Sequence, residues 1–173
     1  MYPIEYIQFL AHFHGDRDYF ECHEILEEYW KETDSRNKSS IWVGLILLAV
    51  STYHHRRDNF SGAIKTLEKA VKIFEVQSDS LTSLGLDINQ MRDLLNERLS
   101  LIAKNKAYKS FILPIRDPNL EKLGKNYCQQ KGFQWGKDSN NTDNHLIHRH
   151  LLRDRSSVIE ERQQSLKIRK GNE

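Results

Sequence analysis

Apolar side chains recur with the period of an α helix through much of this chain, and this spacing constrains its fold most strongly. In the clearest stretch the apolar residues follow i, i+3, i+4 and i+7 positions: Phe60, Ala63, Ile64, Leu67, Ala70, Val71 and Phe74. Asn59 stands directly before them and is a favoured helix N-cap. The pattern therefore predicts a helix that begins near residue 60 and buries one face.

Four further helices are predicted from the same spacing and from start and stop signals. The first begins after Pro3, where the missing amide donor costs nothing, and ends at Gly15. Asp18 is the expected N-cap of the second helix, and Ser39 or Ser40 that of the third. The third is apolar on nearly every side, which predicts that it is the central helix. The expected ranges of helices two, three and five are 19–32, 39–56 and 87–104, with a loop before the fifth.

The two halves of the helical region share one plan. Shifting the sequence by 41 residues aligns Asp18 with Asn59 and Cys22 with Ala63. Each half then reads as a helix, a short polar turn and a return helix that opens with a small residue, loosely like a tetratricopeptide repeat. Since solenoids generally need three or more repeats, we expect a bundle instead. The predicted fold is all-α, a four- to five-helix bundle of two stacked helical hairpins.

The composition of the sequence changes after Tyr108. A short apolar segment containing Pro114 and Pro118 is followed by polar residues and the run KDSNNTDN, which is typical of a linker. Residues 145–170 have few apolar anchors, so a helix there would dock weakly. We therefore predict a helical bundle domain over 1–113 and a polar C-terminal extension over 114–173, partly helical or disordered.

Cysteine usage and hydropathy favour a cytoplasmic protein. Cys22 and Cys128 lie far apart and show no disulfide-framework spacing, which favours a reducing compartment. No Lys or Arg precedes Arg17, so the first residues lack the basic start of a signal peptide. The longest uncharged apolar run, 41–50, is far shorter than the roughly 20 residues that span a bilayer. Neither export nor a membrane association is expected.

One polar constellation is a candidate for chemistry. His23 and Glu27 lie one helical turn apart at the edge of the apolar arc of helix two, and such an imidazole–carboxylate pair suits acid–base work. If His54 packs beside them, the three side chains are also a plausible ligand set for a divalent transition metal. The alternative is a hydrogen-bonded pair that only fixes packing. The expected aromatic lining, which could equally be ordinary core, is Tyr19, Trp30 and Tyr53.

Two segments of the chain resemble the signature blocks of a bacterial and archaeal family, domain of unknown function number three hundred and nine. The first block falls on Tyr19, Phe20, Glu21, His23, Glu24, Glu27 or Glu28, and Trp30. The second falls on Gly44, Leu45, Tyr53, His54, Asn59, Gly62 and Ala63. The chain departs from the pattern at Val43, where members often have Gln, and at Asp58, where Gly is common. The resemblance implies an all-helical bundle, establishes no activity, and adds Glu24 to the candidate polar pocket.

Three hypotheses about function follow, and whether the chain is an enzyme stays open. The first is a module that binds a partner protein through the groove between the hairpins or through the acidic face of helix two, on which lie Glu21, Glu24 and Glu28. The second is a hydrolase-type enzyme, possibly metal-dependent, that uses His23, Glu27 and His54. The weakest is nucleic-acid association, because a net charge of +2 gives no strongly basic footprint. The sequence indicates neither a cofactor nor an oligomeric state.

Overall fold

A computed structural model describes residues 1–139 and 143–149, together with the single residues 163, 164 and 167. In this part of the chain the regular elements are helices, and one isolated bridge pairs Leu86 with Ile115. The helices are α1 Ile4–His14, α2 Tyr19–Thr33, α3 Ile41–Arg56, α4 Phe60–Val76, α5 Ser78–Ser83, α6 Ile88–Ala103, α7 Pro118–Lys131 and α8 Asn144–Ile147. The prediction of an all-α fold is confirmed.

Short polar side chains cap the starts of α2, α3, α4 and α6. Asp18 accepts a hydrogen bond from the backbone N–H of the residue three positions on, and Asn59 and Asp87 do the same for α4 and α6. Ser40, rather than Ser39, caps α3 by accepting from the backbone N–H of Trp42. Each cap satisfies an amide that would otherwise lack a partner in the first helical turn.

The turns that lead into α2 and α4 have the same backbone. Arg17 and Asp58 both adopt a left-handed conformation, with φ of 59° and 62°. The small residues five positions further along, Cys22 and Ala63 on the two return helices, are both fully buried. The 41-residue correspondence is therefore visible in the structure, whereas the likeness to tetratricopeptide repeats is not confirmed.

α3 is the central helix, as its all-round apolar character predicts. It packs against α2 on one side and α4 on the other. The approach to α4 is close, because a Cβ atom on Gly44 would lie 2.7 Å from Cε1 of Phe74 and 3.0 Å from Cγ2 of Ile73. Only glycine fits here without a shift of the neighbouring side chains.

Two segments differ from the sequence-based expectations. The loop expected before the fifth predicted helix contains α5, and the stretch interpreted as linker contains α7, which packs on α1. α7 has a strong start and stop, with Asp117 as N-cap, Pro118 in the first turn and Gly132 in a left-handed C-cap. Its buried stripe is narrow, namely Leu120, Gly124 and Cys128, and the surrounding polar residues hide it in the sequence.

The C-terminal predictions are only partly covered by the structure. α8 overlaps the start of the weak helical stretch expected at 145–170, and Ile147 is buried. Most of that stretch lies outside the described residues. The proposed domain boundary after residue 113 stays a prediction.

No helix in the described ranges has both the length and the apolar content needed to cross a bilayer.

Candidate functional site

A cavity of about 170 Å³ lies between α2 and α3, where the two predicted hairpins meet. Side chains at helical spacing on the two facing helices line it: Tyr19, Phe20 and His23 from α2, and Val50, Tyr53 and His54 from α3. The structure thus brings together four residues that the sequence predicted, His23, His54, Tyr19 and Tyr53. We call this cavity the hairpin pocket.

His23 and Glu27 form the expected pair beside the hairpin pocket. His23 Nε2 lies 2.8 Å from Glu27 Oε2, and Lys31 Nζ lies 3.3 Å from Glu27 Oε1. The hydrogen bond and the charge interaction with His23, followed by the positive charge of Lys31, lower the pKa of Glu27 to about 2, against the effect of partial burial. Because an ionised carboxylate only accepts hydrogen bonds, Nε2 of His23 carries the hydrogen and Nδ1 of the neutral ring is an acceptor.

The N-cap of α4 fixes the tautomer of His54. Asn59 Oδ1 accepts from the backbone N–H of Gly62 at 3.0 Å, so the amide nitrogen of Asn59 is the group that faces His54 Nδ1, at 3.2 Å. An amide nitrogen only donates, which makes His54 Nδ1 an acceptor and places the hydrogen of the neutral ring on Nε2.

Other predicted site residues lie outside the hairpin pocket. Trp30 is half-buried against the core and donates from Nε1 to the carbonyl of Asn37 at 3.0 Å. Glu24 is half-buried but is not a lining residue. Among the residues that the structure describes, no group of three His, Cys, Asp or Glu side chains is placed to hold a metal ion, so His23, Glu27 and His54 do not form the anticipated ligand set.

Phe20 and Val50 are lining residues that the sequence analysis did not assign to the pocket. The ring of Phe20 lies 5.4 Å from the ring of His23 and 5.7 Å from that of Tyr53, so it joins the two helices across the pocket. Val50 lies one helical turn before Tyr53 and His54. Phe20 lies three residues before His23, and Val50 lies three before Tyr53, so helical spacing alone would have indicated both as lining residues.

A second concavity, of about 250 Å³, lies between α1 and α2. We call it the acidic cleft, and its lining consists of Glu5, Gln8, Ile25, Glu28, Tyr29 and Glu32. Four of these residues follow i, i+3, i+4 and i+7 spacing on α2, and two come from α1. Tyr29 is held in place by an edge-on contact with Trp42, at 5.1 Å between ring centroids.

Two acidic residues of α2, Glu21 and Glu27, differ from those of the acidic cleft in their partners. Glu21 accepts from Arg149 at 3.2 Å, and Arg149 also pairs with Asp18 and lies 6.0 Å from the ring centre of Phe20. Glu27 is paired with His23 and Lys31 as described above. In contrast, none of the three cleft carboxylates forms an ion pair within the described part of the chain: Glu5, Glu28 and Glu32.

Sequence reasoning missed a buried polar cluster at the ends of α1 and α3. His14 and His55 occupy equivalent positions in the two hairpins, and both are fully buried. His14 Nε2 accepts from the backbone N–H of Leu113 at 3.0 Å, and His55 Nε2 lies 2.7 Å from the carbonyl of Lys106. Both rings therefore hold the segment between α6 and α7. The sequence showed two His pairs near helix ends but no sign of these distant partners.

Three buried arginines complete that cluster. Arg17 donates to the carbonyls of Phe13 and Phe111, and Arg98 lies 4.3 Å from the ring centre of Phe111. Arg56 donates to the carbonyls of the buried Arg17 and of a residue in α8, and its guanidinium lies 4.5 Å from the ring centre of Tyr19. Arg17 and Arg56 thus bind backbone carbonyls of non-helical segments, whereas Arg98 contacts the aromatic ring of Phe111.

Comparison with known proteins agrees with the signature blocks. The sequence model of a family described as a domain of unknown function, DUF309, matches residues 6–66. The chain is also 44% identical over 170 residues to the uncharacterized protein YpuF of Bacillus subtilis (strain 168), covering 98% of this chain and 98% of that relative. No solved structure matches the chain. The hairpin pocket and most of the acidic cleft lie inside the matched region, and the chain belongs to the DUF309 family.

Proposed function

We propose that this protein is a protein-interaction module that binds a basic segment of a partner protein in the acidic cleft. One observation carries the proposal: three carboxylates without a cationic partner in the described chain surround a concave surface with an apolar floor. The floor is formed by Ile25 and Tyr29, which are half-buried. Such a surface suits a lysine or arginine, whose aliphatic stem packs on apolar groups while its charge meets carboxylates.

The protein already binds one of its own arginines with the same chemistry. Arg149 is held by the carboxylates of Asp18 and Glu21 and lies against the ring of Phe20. The acidic cleft repeats this combination further along α2, with Glu28 and Glu32 beside the ring of Tyr29. α1 adds a third carboxylate from the facing side of the cleft. Charge complementarity therefore favours a cationic occupant over an apolar or an acidic one.

The charge distribution along the chain supports the same choice. Residues 1–57 contain nine acidic and six basic side chains, which gives them a net charge of −3, although the whole chain carries +2. An acidic surface attracts basic partners through space, and salt screens that attraction over about 8 Å at physiological ionic strength. Binding at the acidic cleft should therefore weaken as salt is added.

Site-specific photo-cross-linking in the native host tests the proposal. A benzophenone amino acid is placed at Ile25 in the acidic cleft or, as a control, at Lys69, which is exposed on α4. We expect a discrete adduct from position 25 alone, and the cross-linked partner peptide should be rich in Lys or Arg. Equal adducts from both positions, or a partner peptide without basic residues, would contradict the proposal.

A hydrolase-type activity is the second candidate, favoured by the His23–Glu27 pair beside the hairpin pocket. In such a reaction His23 Nδ1 takes a proton from water, the water oxygen attacks an ester carbonyl, and the proton then passes to the leaving oxygen. Hydrolysis of a panel of 4-nitrophenyl esters that disappears in His23→Ala, with unchanged melting temperature, would support it. Equal rates for wild type and variant would exclude His23 as the base.

A further inference from the structure

We propose that the hairpin pocket binds a small molecule with one aromatic ring and one hydroxyl group, which donates a hydrogen bond to His23 Nδ1. This site is separate from the acidic cleft, since the two share no lining residue. The inference does not depend on the protein-binding function. An experiment that disproves ligand binding in the hairpin pocket would therefore leave the proposed protein binding in the acidic cleft unaffected, and the reverse also holds.

The volume of the hairpin pocket matches that of about one aromatic ring. Its volume is about 170 Å³. Apolar protein cavities of about 150 Å³ accept benzene, so a single ring with a small substituent is the matching size.

The walls of the hairpin pocket suit an aromatic ring. Phe20 and Tyr53 lie at 57° to each other with 5.7 Å between their centroids, and Val50 adds an aliphatic surface. Tilted aromatic neighbours at this spacing offer edge-to-face contacts to a third ring. The hydroxyl of Tyr19, a further wall residue, is already hydrogen-bonded to Tyr108 within the core. An apolar ring therefore matches most of this lining.

The polar selectivity comes from the fixed tautomer of His23. Glu27 faces Nε2 and accepts its hydrogen, so in the neutral ring Nδ1 is an acceptor, and no residue of the described chain donates to it. The equivalent atom of His54 already faces the amide of Asn59. A ligand that brings one donor can thus satisfy His23, whereas a purely hydrocarbon ligand leaves this acceptor unsatisfied in a more enclosed site.

Titration with phenol and with toluene tests the inference, followed by NMR of the full chain labelled at histidine nitrogens and valine methyls. We expect phenol to shift the signals of His23 and Val50 and to bind at least about fivefold more tightly than toluene, which corresponds to one net hydrogen bond. The nitrogen shifts of His23 should show hydrogen on Nε2 and a change at Nδ1 when phenol binds.

Variants separate the pocket from its polar selectivity. In His23→Phe, phenol and toluene should bind equally, because the acceptor is gone but the ring remains. Val50→Trp should fill the hairpin pocket and abolish binding of both, whereas the matched change Val76→Trp, at an exposed position, should leave binding intact. Melting temperatures of all variants verify that they are folded.

Three outcomes would overturn the inference. The first is that wild-type protein binds toluene as tightly as phenol. The second is that neither compound shifts the Val50 methyl signals. The third is that hydrogen is found on Nδ1 of His23 in the unliganded protein, since the ring would then present a donor instead of an acceptor.

Discussion

The buried imidazole of His14 makes the stability of the fold depend on pH. The ring is fully buried, donates from Nδ1 to the carbonyl of Leu10 at 2.7 Å, and accepts at Nε2 from the backbone N–H of Leu113. It also stacks on the ring of Trp135, with 4.3 Å between the ring centroids. Burial, with a further contribution from the charge of Arg17, lowers the pKa of His14 to about 3. The native protein therefore keeps this ring neutral down to mildly acidic pH.

The magnitude follows from proton linkage. An unfolded histidine has a pKa of about 6.5, so the unfolded chain gains a proton on His14 as the pH falls, while the folded chain does not. The stability from this depressed pKa is present above about pH 6.5 and is lost toward the folded pKa at about 1.4 kcal/mol per pH unit. Between pH 7 and pH 5, His14 alone should reduce the free energy of unfolding by about 2 kcal/mol.

Urea denaturation at pH 7 and pH 5 measures this loss. In His14→Gln, which does not titrate, the loss between the two pH values should be smaller than in wild type by about 2 kcal/mol. His145→Gln, at an exposed position, should leave the wild-type loss unchanged. If His14→Gln does not fold, NMR of wild type gives the answer, because the His14 ring should show no titration above pH 5. Equal losses in wild type and His14→Gln, or a His14 pKa near 6.5 in the folded protein, would refute this reasoning.

Three further predictions concern helix packing, a helix N-cap and the two buried thiols. Gly44→Ala should lower the free energy of unfolding by about 1–2 kcal/mol in urea denaturation, because overpacking against α4 outweighs the better helix propensity of alanine. Asp18→Ala should cost about 1–2 kcal/mol and Asp18→Asn less, since asparagine keeps the N-cap; thermal melts would check this. Cys22 and Cys128 are buried and their thiol pKa values are raised by burial, so both should react with a thiol-specific disulfide reagent only when urea unfolds the chain.

Local signals in the sequence were sufficient for the helices that form the two hairpins. The period of 3.6 residues and a side-chain cap act within one helix, so α1 to α4 could be located closely. α7 was missed because its buried stripe consists of three positions, one of them Gly124. Its N-cap Asp117 and its C-cap Gly132 were visible in the sequence and would have identified it.

The sequence could predict only those parts of the candidate sites whose residues lie on one helix. The His23–Glu27 pair follows from i, i+4 spacing on one helix, and the structure places it as expected. The contribution of Val50 to the hairpin pocket depends on how α2 packs on α3, and that of Glu5 to the acidic cleft on how α1 packs on α2. Sequence periodicity gives the buried face of each helix, but it does not give the register between two helices.

Charge reversal in the acidic cleft tests the proposed function most directly. With the cross-linker at Ile25, the double variant Glu28→Lys and Glu32→Lys should lose the partner adduct. The matched double variant Glu68→Lys and Glu97→Lys, which makes the same change of charge at exposed positions outside the cleft, should keep it. An adduct of undiminished yield after reversal of Glu28 and Glu32 would contradict the claim that these carboxylates bind a basic partner.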